Sequence, residues 1–201
     1  MGERLKIWQL RGVMPIAVVL GFCGLGVLAQ YLPGATVKAL DVAVTNVMPG
    51  EKYLSQHLWV VPGSIYDGDT LRVTDGKKET KLRLCGVDSP ELDQPMGIAA
   101  RDHLRALVDK GESGQIIVVP IKKDRYGRTV ADLFIDLGDD EEIHLNSQMV
   151  MDGMAYHDER YSNSCPQPFV LVRAEEIAKS NEIGVWVNSN AQKPWEYRRE
   201  L

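Results

Sequence analysis

Residues 83–91 read RLCGVDSPE. The segment has the look of a β-strand that stops at Pro90, because proline cannot donate to a strand ladder. It opens with Arg83 and closes with Asp88 and Glu91 around that proline, an unusual gathering of charge for a strand end. Upstream, LWVVPGSIYDGDTLRVT holds two apolar stretches separated by PGS and broken again at DGD. DGKKE then reads as a hairpin turn leading into TKLRLCGV, so Arg83 falls in a third strand. Downstream, GIAARDHLRALVDKG carries Ile98, Leu104, Leu107 and Val108 at helical spacing and stops at Gly111. QIIVVPIKKD and TVADLFIDL flank RYGR as two more strands around a turn, and residues 136–142 read as another exposed turn. LNSQMVMDGM predicts a helix with Asn146 as N-cap, and FVLVRAEEIAKSNEIG predicts one ending by Gly184. Three strands, a helix, two strands and two helices give the element order of an OB-fold. The expected class is mainly β within α+β: a five-stranded Greek-key barrel with three helices.

The chain has 201 residues, 44% hydrophobic and 25% charged, enough apolar material for one core domain with extensions. Its net charge of −5 argues against a broadly basic protein that coats nucleic acid. Attraction for phosphate would have to come from a few local cations. Arg4, Lys6 and Arg11 precede Val13–Leu32, a stretch without a charged residue that is long enough to span a hydrocarbon core of about 30 Å. Positive charge before it predicts a cytoplasmic N-terminus with the rest exported. VLA before Gln30 is also a small-residue cleavage pattern, so a cleaved signal stands beside the membrane anchor. A buried helix is the third reading. The expected organisation is a basic flank at 1–12, an anchor or signal at 13–32, a linker at 33–56, the barrel domain at 57–188 and a tail at 189–201.

Of the three cysteines, Cys23 lies in the apolar run. No CxxC or Cys/His cluster marks a zinc site. Cys85 and Cys165 are a candidate disulfide if the domain matures in an oxidising compartment, or else two small buried apolar side chains.

Three short motifs place charge at turns: YDGDT with Asp67 and Asp69, RLCGVDSPE with Arg83, Asp88 and Glu91, and DRYGRT with Arg125, Tyr126 and Arg128. Each has an ordinary reading as a solvated turn. Together they supply oxygen ligands for a hard cation such as Ca²⁺ or Mg²⁺. They also supply guanidinium forks that match phosphate oxygens and a further carboxylate that could take a proton from water. Those are the parts that phosphodiester hydrolysis requires.

DGDT, RLCGVDSPE and DRYGRT, in this order and spacing, resemble the staphylococcal nuclease (thermonuclease) family. The resemblance runs from about Val60 to Trp186 and takes in GMAYHDERY and GVW. It implies an OB-fold barrel and a Ca²⁺-dependent endonuclease acting on DNA and RNA that leaves 3′-phosphate ends. It implies Asp69, Asp88 and the backbone carbonyl of Ser89 as Ca²⁺ ligands, with Asp67 acting through water. Glu91 would position or deprotonate the attacking water, Arg83 and Arg128 would hold the phosphate, and Tyr126 and Tyr161 would lie against the nucleotide. The chain departs from the family in having Ser89 for threonine, a short loop after Glu91, and Glu159 where a second nucleotide-facing tyrosine belongs. The membrane segment is an addition that nuclease chemistry does not need.

One geometric demand follows. In an ideal strand Arg83 and Asp88, five apart, face opposite ways. A shared site therefore requires a bend or bulge, for which Gly86 is the available place. Two other functions stand beside the enzyme: a non-catalytic OB-fold module gripping nucleic acid or protein, and a tethered structural domain whose acids are solvated turns. Loss of the acids or arginines would mark the binding module, and all of them are present.

Overall fold

The computed structural model describes residues 54–201. The flank at 1–12, the apolar run at 13–32 and nearly all of the linker lie outside the described residues. Among the described residues no helix is long and apolar enough to cross a membrane.

Among the described residues, eight strands and five α-helices follow one another: β1 Gln56–Val60, β2 Thr70–Thr74, β3 Glu79–Leu84, β4 Val87–Asp88, α1 Gly97–Val108, β5 Gln115–Lys123, β6 Thr129–Asp136, β7 Glu142–His144, α2 Leu145–Met151, β8 Tyr156–His157, α3 Glu159–Ser162, α4 Pro168–Ser180, and α5 Pro194–Glu200. A short 3₁₀ turn, Gly184–Trp186, separates the last two helices. The chain is mainly β-sheet with helices around it. β1 pairs antiparallel with β2 and β5, β2 with β3, and β5 with β6. β3 then pairs parallel with β6, so the ladder of five strands returns to its start. β7 extends β6 as a hairpin, and β4 pairs with β8 as a separate ladder.

Alternation explains the sheet. In β2, Leu71 and Val73 are buried while Arg72 is exposed. Leu82 and Leu84 of β3, Ile116 and Val118 of β5, and Leu133 and Ile135 of β6 join them in one core. Pro120 lacks an N–H, and the β5–β6 register shifts between Pro120 and Lys122 to accommodate it. At the β2–β3 turn Asp75 Oδ1 accepts the backbone N–H groups of Lys77 and Lys78, each at 2.8 Å, as a turn aspartate does.

The sequence leads to three helices, whereas the described residues hold five, the short α3 and α5 being the additions. Two further details of the helices differ as well. Ile98 is 58% exposed, and Ala100 lies in the core with Leu104 and Leu107 instead. Helical spacing sets residue 98 about a third of a turn from residue 104, whereas 100, 104 and 107 share a stripe. Asn146 is not the N-cap of α2; His144 holds that position in extended backbone. Asn146 lies fully buried inside the helix, accepting from Leu133 N at 3.0 Å and donating to the carbonyls of Cys85 and Ala131. It ties α2 to the end of β3 and the middle of β6 and satisfies backbone groups that would otherwise be buried unpaired.

Cys85, just past β3, is disulfide-bonded to Cys165 between α3 and α4. The stretch expected as a tail contains α5, which begins with Pro194 at its first turn and has Glu196 Oε2 accepting from Lys193 N at 3.1 Å.

Candidate active site

The sheet register brings the three charged motifs together. Thr70, which follows Asp69, pairs with Arg83, and Arg83 pairs across the parallel ladder with Val130, two residues after Arg128. The ends of β2, β3 and β6 therefore open onto one cleft of about 880 Å³. Asp67, Asp69, Arg83, Ser89, Glu91, Arg128, Tyr126 and Tyr161 all line it. Asp88 lies fully buried beneath them.

Gly86 supplies the required bend. Its φ is +66°, a left-handed conformation that costs glycine nothing, and β4 begins immediately after it. A Cβ there would lie 2.5 Å from Leu171 Cδ1 and 2.9 Å from Ser162 Cβ. The reversal lets Arg83 Nη2 donate to Asp88 Oδ1 at 2.9 Å. Arg83 Nη1 lies 2.8 Å from Asp69 Oδ2 without the alignment of a hydrogen bond, a charge contact that still spans the two aspartates.

The remaining bonds of the acids fix their positions. Asp69 Oδ2 accepts from the backbone N–H of Ser89 at 2.8 Å and from its hydroxyl at 3.0 Å, and Oδ1 accepts from the Thr70 hydroxyl. Asp67 Oδ1 accepts from Asp69 N at 3.1 Å. Burial, and then the neighbouring Asp69 charge, push the Asp67 carboxyl up to about 6. Burial also raises Asp88, against the opposing pull of Arg198 and Arg83. Glu91 is held from behind: its N–H donates to Gln94 Oε1 at 2.9 Å, and a Cβ at Gly97 would overlap its carbonyl oxygen.

On the opposite wall Asp124 organises the β5–β6 turn. Its Oδ1 accepts from the N–H groups of Tyr126 and Arg128, and its Oδ2 accepts from Arg128 Nε at 2.7 Å. Burial would raise Asp124, but these bonds outweigh it and hold the carboxyl below its usual range. The Arg125 and Arg128 guanidinium carbons stand 4.8 and 5.4 Å from the Tyr126 ring centroid. Tyr161 is exposed at the rim, with Arg160 against its ring. Glu159 is exposed and does not line the cleft; the acid that does is Asp158, which is buried and paired with Arg160.

Asp69 and Asp88, both spanned by Arg83, carry carboxylate oxygens of the kind that could hold a hard divalent cation such as Ca²⁺, and the Ser89 carbonyl is an oxygen of the same chemistry. Among the described residues two other groups of three metal-capable side chains each bring their ligand atoms within 4.8 Å of one another. In the first, Cys85 and Cys165 are consumed by the disulfide. In the second, Glu175 is engaged by Lys179 at 2.7 Å and by His157 N. Neither offers a free ligand set.

The sequence reading missed Asp124, Gln94 and Arg198. Arg198, on α5, donates to both oxygens of Asp88 at 3.1 and 2.7 Å and to Glu91 Oε1 at 2.7 Å. Burial alone would lower its pKa, but the bonds to Asp88 and Glu91 raise it above the ordinary value.

A mainly β domain whose strand ends gather paired aspartates, a glutamate and two arginines in one cleft belongs to a recognisable class. Residues 81–188 match the family described as Staphylococcal nuclease homologue. A micrococcal nuclease of Shigella flexneri is 33% identical over 139 residues, 67% of this chain and 77% of that protein. An uncharacterized endonuclease of Haemophilus influenzae is 33% identical over 137 residues, 68% of this chain and 70% of that one. The staphylococcal-like nuclease CAN1 of Arabidopsis thaliana is 34% identical over 61% of this chain, which spans 34% of that longer protein. The chain belongs to the staphylococcal nuclease family.

Proposed function

We propose that the protein is an exported Ca²⁺-dependent endonuclease that hydrolyses phosphodiester bonds of DNA or RNA and leaves 3′-phosphate ends. The observation that carries this reading is Arg83 reaching Asp88 across the Gly86 bend, which sets a phosphate-binding fork against the carboxylates in one cleft. The closed five-strand ladder is read as the OB-fold barrel of the family.

Asp69, Asp88 and the Ser89 carbonyl would hold the cation, and Asp67 would act on it through water. When bound, Ca²⁺ supplies positive charge to the phosphate and its attacking water. Glu91 orients that water and accepts its proton on the carboxylate. Arg83 and Arg128 take the non-bridging phosphate oxygens, and their hydrogen bonds strengthen as charge develops there. Tyr126 and Tyr161 offer exposed rings on which a base or sugar can rest. The disulfide supports maturation outside the reducing cytoplasm, in line with the apolar segment at 13–32 as anchor or signal.

Nicking of supercoiled plasmid and cleavage of RNA by the full chain, with Ca²⁺ and then with chelator, test this directly. Cleavage with Ca²⁺ that stops on chelation, leaving ends that a 3′-phosphatase can open for extension, is expected. Cleavage unaffected by chelator removes the metal assignment. Tight binding without cleavage identifies a non-catalytic binding module.

A further inference from the structure

We propose that α5 is an occluding helix: Arg198 fills the cation position at Asp88, so that binding of a divalent cation and docking of α5 exclude each other. The proposal rests on the calcium reading above and adds its regulation.

Three observations carry it. First, most of the lone pairs a metal would need are occupied: three of about four on the Asp88 carboxylate accept hydrogen bonds. Asp88 Oδ1 accepts from Arg83 and Arg198, and Oδ2 accepts from Arg198 at 2.7 Å. Asp88 is fully buried, held between Arg83 and Arg198. A calcium ion ligated at about 2.3–2.6 Å from those oxygens would sit against the guanidinium, and two cations do not share that position.

Second, the same guanidinium takes Glu91 Oε1 at 2.7 Å. The closed form therefore withholds both the metal ligand and the candidate base. Arg198 supplies the charge that the buried acids need while no metal does so.

Third, α5 is built to dock and to release. Trp195 meets Tyr156 edge-on at 5.8 Å between ring centroids, and Arg160 lies 5.0 Å from the Trp195 ring centroid. Gln94, whose Oε1 holds Glu91, donates to the carbonyl of Gln192 just ahead of the helix. Yet α5 spans only Pro194–Glu200, and the Arg198 side chain is 42% exposed. It can leave without opening the barrel core. A nuclease closed in this way stays silent until calcium displaces the helix.

Titration calorimetry with Ca²⁺ alone on the full chain, with hydrogen exchange of the α5 amides, tests the idea. The parent, Arg198→Ala and Arg199→Ala are compared. Arg199 donates only within its own helix, so its variant removes the same charge without the contact. If the closed form holds nine-tenths of the molecules or more, Arg198→Ala binds Ca²⁺ about 10-fold or more tighter. Arg199→Ala then stays near the parent, and Ca²⁺ deprotects the α5 amides of the parent. Equal affinities, or α5 amides equally protected with and without Ca²⁺, overturn the proposal and leave the calcium site standing. No Ca²⁺ binding by any of the three proteins overturns both together.

Discussion

Arg83 Nη2 meets Asp88 Oδ1 at 2.9 Å although the two residues lie five apart on a segment that an extended strand would point to opposite faces. Gly86, with φ +66° and no room for a Cβ, makes the contact. Gly86→Ala should therefore lose at least 1–3 kcal/mol of stability, from the left-handed backbone and the overlap with Leu171 and Ser162 together. It should also lose cleavage at temperatures where it remains folded, because the bend rather than any charge has been altered. A variant with the parent's urea midpoint and turnover would show that the bend does not depend on glycine.

The disulfide closes a loop with a sequence separation of 80. Chain-entropy arguments give such a crosslink about 4–5 kcal/mol, acting mainly on the unfolded state. Cys85 and Cys165 also touch the Gly86 bend, where a Cβ would stand 3.1 Å from Cys165 Sγ. Reduction, or Cys85→Ala with Cys165→Ala, should lower the urea midpoint strongly while, under the proposed function, the folded variant keeps the parent's affinity for Ca²⁺. A midpoint that does not move on reduction would mean that the bond is absent in solution.

The five longer strands and the helices α1, α2 and α4 could be read from alternation and turn residues because each of those signals is local; β4, β7, β8 and α3 are too short to carry a period. The three charged motifs could be read because their residues sit at strand ends, where side chains serve function more than packing. Asparagine favours caps in isolation, which points Asn146 to an N-cap; tertiary demand for a buried donor and acceptor sets it inside the helix instead. Lys193, Pro194 and Glu196 do mark a helix start. Nothing local announces that Arg198 lies against Asp88, 110 residues earlier in the chain. That contact follows from how α5 packs, and no periodicity encodes it.

Asp152, at the C-terminus of α2, joins two helices. It accepts from His103 of α1 at 2.7 Å and from Gln148 at 2.9 Å. Burial would raise its carboxyl, but the bonds from His103 and Gln148 outweigh burial and hold it below the ordinary 3.8. A carboxylate with a depressed folded pKa adds stability that is fully present above its unfolded pKa and is lost as pH falls through the folded value. Asp152→Asn should thus cost about 0.5–1.5 kcal/mol near neutrality, and the gap between variant and parent should narrow below pH 3.8. Urea denaturation at several pH values measures this; a gap that stays constant down to pH 3 would assign the loss to packing instead of charge.

Asp124 and Arg128 form a unit in which one residue aims the other. Under the proposed nuclease function, Arg128→Lys keeps the charge but loses the planar fork, and the rate should fall about 10²–10³-fold. Asp124→Asn keeps an oxygen for the N–H groups of Tyr126 and Arg128, so the turn should persist with little change in thermal midpoint. It removes the charged partner of Arg128 Nε, and the guanidinium then samples other rotamers. A loss of about 10-fold is expected, because the fork remains available but is no longer held in place. The double variant decides whether the effect runs through Arg128. If Asp124 acts only by orienting that fork, adding Asp124→Asn to Arg128→Lys should cost little further. Losses that multiply in the double variant would instead give Asp124 an independent role in the cleft.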